Sequence, residues 1–112
     1  MTVGMVGLGE IGSGFVDRLL LAKIDVIGWN RTKSKAEPLL AKGMKWGDSP
    51  RAVTAASDIV LTMVTNDHAL TAVADGPEGI LAAIAGKTLV EMSTVGVAHV
   101  HALAQKTKAA GG

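Results

Sequence analysis

Six residues near the start of the chain, Gly7-Leu8-Gly9-Glu10-Ile11-Gly12, constrain the fold more than any others. They follow the short apolar run Val3–Val6 and lead directly into a helical spacing, with Ile11, Phe15, Leu19 and Ala22 predicted to share one apolar face. A G-x-G-x-x-G pattern between a strand and a helix has a mechanical reading. The first glycine permits a tight turn, the second lets the backbone approach a pyrophosphate, and the third lets the helix pack close to the strand. The helix then directs unpaired backbone N–H groups and a positive dipole end at the phosphate. A glycine turn with packing duties alone is the competing reading. Its place at the head of a strand–helix–strand unit favours dinucleotide binding.

The rest of the chain continues that alternation. Asp25–Trp29, Asp58–Val64 and Thr88–Met92 are short apolar runs of the kind buried on both faces of a parallel sheet. Helical spacing is expected around Ala36, Leu39 and Leu40, over Ala69–Val73, in a short turn near Ile80–Ala85, and over Val97–Lys108. The last of these ends at Gly111-Gly112, where glycine can terminate a helix. The expected fold is α/β: a Rossmann-type doubly wound parallel sheet in three α/β/α layers, with right-handed crossovers.

Composition narrows the function classes. The chain has 112 residues, the size of one domain, and 48% of them are hydrophobic, enough apolar material for a core. A net charge of +1 leaves no broad basic field for nucleic acid. The longest uncharged apolar stretch, around Gly79 to Gly86, is far short of the ~20 residues that span a bilayer. The N-terminus lacks the basic start and small-residue cleavage site of a secretion signal, so a cytoplasmic location is expected. With no cysteine there is no disulfide, thiolate metal site or cysteine nucleophile. His99 and His101 stand two apart and face different sides of a helix, while His68 reads as a solvent-facing residue, so no metal site is expected. Asp75-Gly76-Pro77-Glu78-Gly79 reads as a turn before a short helix, not as an acid–base pair.

The tip of the second strand bears on which dinucleotide would bind. An acidic residue about 20 positions after the glycines accepts hydrogen bonds from the ribose 2′-hydroxyl of NAD. This strand ends instead in Asn30-Arg31-Thr32. Arg31 can grip a 2′-phosphate with a planar fork of donors, Thr32 can add a hydroxyl, and Lys35 brings a second positive charge. A solvated, charged helix start is the alternative reading of Arg31, Lys33 and Lys35. Because the cluster sits where the ribose arrives, NADP is preferred as cofactor.

Four segments, Gly7-Leu8-Gly9-Glu10-Ile11-Gly12, Asn30-Arg31-Thr32, Leu61-Thr62-Met63-Val64 and Glu91-Met92-Ser93-Thr94-Val95, resemble the β-hydroxyacid dehydrogenases in order and spacing. The chain is most similar to the 3-hydroxyisobutyrate dehydrogenase and glyoxylate–succinic semialdehyde reductase type. Imine reductases and 6-phosphogluconate dehydrogenase are related. The resemblance covers residues 1–112 as an NADP-binding domain, and it implies cofactor contacts at Val64, Thr65 and Thr94 and a substrate contact at Ser93. Taken alone, Ser93-Thr94 also suits a cap for the Val97–Lys108 helix. The family often has Met where Ile11 stands, Asp at Glu91 and Pro near Val97.

The resemblance further implies that this is the N-terminal domain of a longer enzyme. In the family, a strand, a Ser-Gly-Gly substrate stretch and a helical domain with the catalytic lysine follow a pair like Gly111-Gly112. None of the lysines here matches that one, so no catalytic residue is assigned and turnover by these residues alone is not expected. The implied function is to bind NADPH for hydride transfer to or from a small 3-hydroxy acid or aldehyde acid. The alternatives are an imine reductase domain or a non-catalytic dinucleotide-binding module. The implied partners are NADPH and a small substrate, with a homo-oligomer formed through the helical domain.

Overall fold

A computed structural model describes residues 1–93 and 97–112, with the side chain of residue 97 left aside. Among the described residues, strands β1 (Thr2–Val6), β2 (Asp25–Trp29), β3 (Lys45–Trp46), β4 (Ile59–Thr62) and β5 (Thr88–Glu91) form one all-parallel sheet ordered β3-β2-β1-β4-β5. Helices α1 (Glu10–Leu21), α2 (Glu37–Ala41), α3 (Pro50–Ala55), α4 (Asp67–Ala74) and α5 (Val97–Ala109) connect and follow them, with short 3-10 helices at Lys33–Ala36 and Ile80–Ala83. The strand order reverses between β1 and β4. That switch point, at the carboxyl ends of the strands, is where open α/β sheets form the crevice that binds ligands.

The two apolar clusters lie on opposite faces of the sheet. Alternate residues of a strand face opposite sides, so Met5 packs with Val16, Leu39 and Met44, while Val6 packs with Val53, Leu70, Ile80 and Leu103. The first cluster draws on α1 and α2 and the second on α3, α4 and α5, which gives the three expected layers. Gly4 is what lets α3 lie close to β1, since a Cβ there would meet Val53 at 2.7 Å as well as the Ser57 hydroxyl. The ammonium of Lys87 closes the far end of α3, donating to the carbonyls of Thr54, Ala55 and Ser57 at 2.8, 2.8 and 2.6 Å. A cation is favourable there because the last carbonyls of a helix have no partners of their own and carry its negative dipole end.

The structure corrects two expectations about elements. The buried face of α1 is built on Gly12 and Val16, while Ile11 is 66% and Phe15 37% exposed. Gly12 must face β1, because a Cβ there would stand 2.6 Å from the Gly7 carbonyl oxygen, and that contact rotates Ile11 and Phe15 outward. Between β2 and β4 the chain also forms β3 and α3, which the apolar pattern did not signal. β3 has only two residues, with Lys45 exposed, so it carries no periodicity. By contrast, α3 does carry a start signal: Ser49 accepts a hydrogen bond from the Ala52 N–H at 3.0 Å and Pro50 occupies the first turn.

Elsewhere the outline agrees. The run expected over Asp58–Val64 forms β4 in its central four residues, and Asp58 turns back to accept from the Thr2 N–H at 2.9 Å. α5 ends in a Schellman turn: Gly111 has φ +92°, its N–H bonds the Lys108 carbonyl, and the Gly112 N–H bonds that of Thr107. Among the described residues, no helix is long and apolar enough to cross a membrane.

Candidate functional site

The turn from β1 into α1 is held from three sides. The Gly7 N–H bonds the Trp29 carbonyl of β2 at 2.9 Å, and the Met63 N–H bonds the Val6 carbonyl at 3.0 Å. The Leu8 N–H donates to Asn30 Oδ1 at 3.0 Å, and the Asn30 amide donates onward to the Thr32 carbonyl at 3.1 Å. Asn30 therefore fastens the glycine turn to the tip of β2, and both ends of its side-chain amide are spent in doing so.

Each glycine of the motif has a separate structural reason. Gly7 has φ +99°, a conformation that L side chains rarely adopt, and a Cβ on it would collide with the carbonyl oxygen of Met63. Gly12 gives α1 its close approach to the strand. Among the described residues, nothing lies within 4 Å of where a Cβ on Gly9 would stand, so their packing does not require glycine there. An open position above the turn is what a bulky anion approaching the backbone needs.

The start of α1 differs from those of α3 and α4. At α3 and α4 a side chain, Ser49 or Asn66, accepts a first-turn N–H at 3.0 or 2.8 Å. At α1 the capping residue is Gly9, which has no side chain to do this. The N–H groups of Glu10, Ile11 and Gly12 are thus left at the open end of the helix, beside the crevice. Ser13 folds its hydroxyl back to the Leu8 carbonyl at 3.3 Å. These features fit a pyrophosphate: first-turn donors without a side-chain cap, a positive dipole end and a backbone that no described residue shields.

Arg31, Thr32, Lys33 and Lys35 are all exposed around the tip of β2 and the 3-10 helix that follows. Among the described residues none of these cations forms an ion pair. Lys33 lies over the Trp46 ring, 5.4 Å from its centroid, which turns it toward β3. That leaves Arg31 and Lys35 as the cations uncommitted to a protein partner, in a cluster without a carboxylate at the strand tip.

At the carboxyl ends of β4 and β5, Val64 is half-buried and Thr65 exposed. The Ser93 hydroxyl accepts from the Val64 N–H at 2.7 Å, so Ser93 braces the end of β4 whatever else it does. Thr94, which completes the expected cofactor set, lies outside the described residues. His68 is exposed as expected, and His99 stands 3.3 Å from Asp67, linking α5 to α4 next to the Lys106–Asp75 ion pair at 3.1 Å. Among the described residues, no three His, Cys, Asp or Glu side chains gather as a metal site would require.

Sequence reasoning placed Glu91 in a family-like segment but gave it no role. Its carboxylate accepts from the Thr62 hydroxyl at 2.7 Å and from the Ser93 N–H, across a separation of 29 residues in the first case. The pairing register of β4 with β5 sets Thr62 opposite Glu91, and no local pattern in the chain reveals that register.

Comparison with known proteins agrees with this geometry. Glyoxylate/succinic semialdehyde reductase 2 of Arabidopsis thaliana, a chloroplastic protein, is 40% identical over 99 residues, covering 88% of this chain and 28% of the plant protein. The human cytokine-like nuclear factor N-PAC is 38% identical over 111 residues, covering 98% of this chain and 20% of the human one. An imine reductase from Myxococcus stipitatus, solved in complex with NADP+, superimposes with a TM-score of 0.91 at 26% identity, covering 99% of this chain and 38% of that enzyme. The chain thus spans between a fifth and two fifths of the length of these relatives. Residues 2–112 match the family described as the NAD binding domain of 6-phosphogluconate dehydrogenase, and the chain belongs to that family.

Proposed function

We propose that this chain is the NADP(H)-binding platform of an oxidoreductase that moves hydride between the nicotinamide and a small 3-hydroxy acid or aldehyde acid. The observation that carries the NADP preference is the tip of β2. It bears Arg31 and Thr32, with Lys35 nearby, and no carboxylate that would repel a 2′-phosphate. The cofactor, when bound, supplies the hydride chemistry. This chain's residues do the holding. Gly7 and Gly12 shape the turn, and Gly9 with the Leu8, Glu10, Ile11 and Gly12 backbone receives the pyrophosphate. Asn30 orients that turn, Arg31, Thr32 and Lys35 take the 2′-phosphate, and Val64, Thr65 and Thr94 flank the ribose and nicotinamide. Ser93 would face substrate while bracing Val64.

Turnover requires more than these residues, since no lysine here occupies the position that the family uses to handle the carbonyl oxygen. The similarity to an imine reductase solved with NADP+ supports an imine as the alternative substrate on the same platform.

Thermal unfolding with NADPH tests the platform. A ligand at one hundred times its dissociation constant that binds only the native state adds about 2.7 kcal/mol. For a domain of this size that corresponds to a rise of roughly 10–20 °C in the midpoint. No rise at saturating NADPH would contradict the proposal.

A further inference from the structure

At the carboxyl edge of the sheet, both oxygens of the Glu91 carboxylate accept protein hydrogen bonds, from the buried Thr62 hydroxyl and the Ser93 backbone N–H. It is half-buried, and among the described residues no cation pairs with it. The bonds link up as a chain: the Thr62 hydroxyl and the Ser93 N–H both donate to Glu91, and the Val64 N–H donates to the Ser93 hydroxyl at 2.7 Å. Thr62 belongs to β4 and Glu91 to β5, and the pair lies at the last register position of the two strands. The carboxylate thus fixes the turn after β5 against the end of β4, where Val64 and Thr65 sit. With both oxygens bonded, the side chain is held at two points and the brace is stiff.

We infer that Glu91 is a positioning residue for the nicotinamide half of the cofactor, acting through Ser93 and Val64 and not on the 2′-phosphate half. The inference rests on the proposal that the crevice binds NADP(H). The strand order separates the two halves: Arg31 follows β2, and from β2 the sheet runs through β1 and β4 to β5. At about 4.8 Å per strand spacing, Glu91 lies roughly 14 Å from the strand whose tip bears the basic cluster. A fragment that occupies only the cluster does not reach it, whereas the whole dinucleotide does.

Adenosine 2′,5′-bisphosphate is such a fragment, and its affinity is the control. In E91M the side chain keeps its length but offers no oxygen, so both donors lose their acceptor. NADPH affinity is expected to fall about tenfold or more while adenosine 2′,5′-bisphosphate stays within about twofold. E91Q restores one acceptor and is expected to recover part of the loss. Unchanged NADPH affinity in E91M, or a parallel loss of the fragment, would overturn the inference. Should E91M not fold, E91Q alone is read, and about a threefold loss of NADPH with the fragment unaffected supports it, whereas no loss overturns it. Failure of the unaltered chain to bind either ligand would instead overturn the reading of the crevice, and the inference with it.

Discussion

Gly9→Ala is expected to weaken NADPH binding by about 10- to 100-fold, because a methyl there holds the pyrophosphate off the backbone and a hydrogen bond to a charged group contributes about 1.5–3 kcal/mol. The same substitution is expected to leave the unfolding midpoint almost unchanged. Gly9 has φ −70°, which alanine adopts freely, and its added methyl would meet nothing within 4 Å among the described residues. Loss of the glycine's extra freedom in the unfolded chain, worth about 0.4–1 kcal/mol, roughly offsets the poorer capping by alanine. Gly7→Ala makes the opposite case. Its positive φ and the collision with the Met63 carbonyl are expected to cost about 2–5 kcal/mol of stability, counting strain and overpacking together. NADPH binding disappears with the turn. Calorimetric titration and thermal unfolding of both variants separate the two glycines. Retained NADPH binding in Gly9→Ala would mean that the cofactor does not pass over that backbone.

Arg31→Ala is expected to weaken NADPH by about 10- to 100-fold while leaving NADH within about twofold. A hydrogen bond to a charged group contributes about 1.5–3 kcal/mol, and each 1.4 kcal/mol is a factor of ten in affinity. Arg31 and Lys35 are exposed and have no acidic partner among the described residues, so nothing in the protein competes with an incoming phosphate. Lys33 differs, because its ammonium is already over Trp46, and Lys33→Ala is expected to have the smaller effect on the cofactor. Equal losses for both cofactors in Arg31→Ala would show that the arginine serves the turn and not the 2′-phosphate. High salt is also expected to narrow the gap between the two cofactors, since exposed charges are screened.

Much of the fold was legible because its strands announce themselves locally. Val3–Val6 and Asp25–Trp29 are solid apolar runs, and the glycines between them leave few geometries for the connection. Even so, the apolar face of α1 was misjudged. Periodicity picks out Ile11 and Phe15 because they are large, but the contact that orients the helix is made by Gly12, which has no side chain to count. β3 was invisible because two residues cannot show a period, and α3 was missed as well, since its start signal is the cap Ser49-Pro50 and not an apolar period. The candidate site divides in the same way. The parts proposed to face the phosphates are contiguous in sequence, so residues 7–12 and 30–32 could be read as motifs. Asn30 clasping Leu8, 22 residues away, and Glu91 clasping Thr62, 29 residues away, depend on which strands pair and in what register. Neither is written in any local stretch of the chain.

The central claim is that the crevice at the carboxyl ends of β1, β2 and β4 takes NADP(H) in preference to NAD(H). Titration calorimetry of the unaltered chain with NADPH and with NADH under one buffer and salt condition measures it directly. Both are expected to bind, NADPH at least about tenfold more tightly, the difference made by one well-placed charged hydrogen bond. Equal affinities, or tighter binding of NADH, would contradict it.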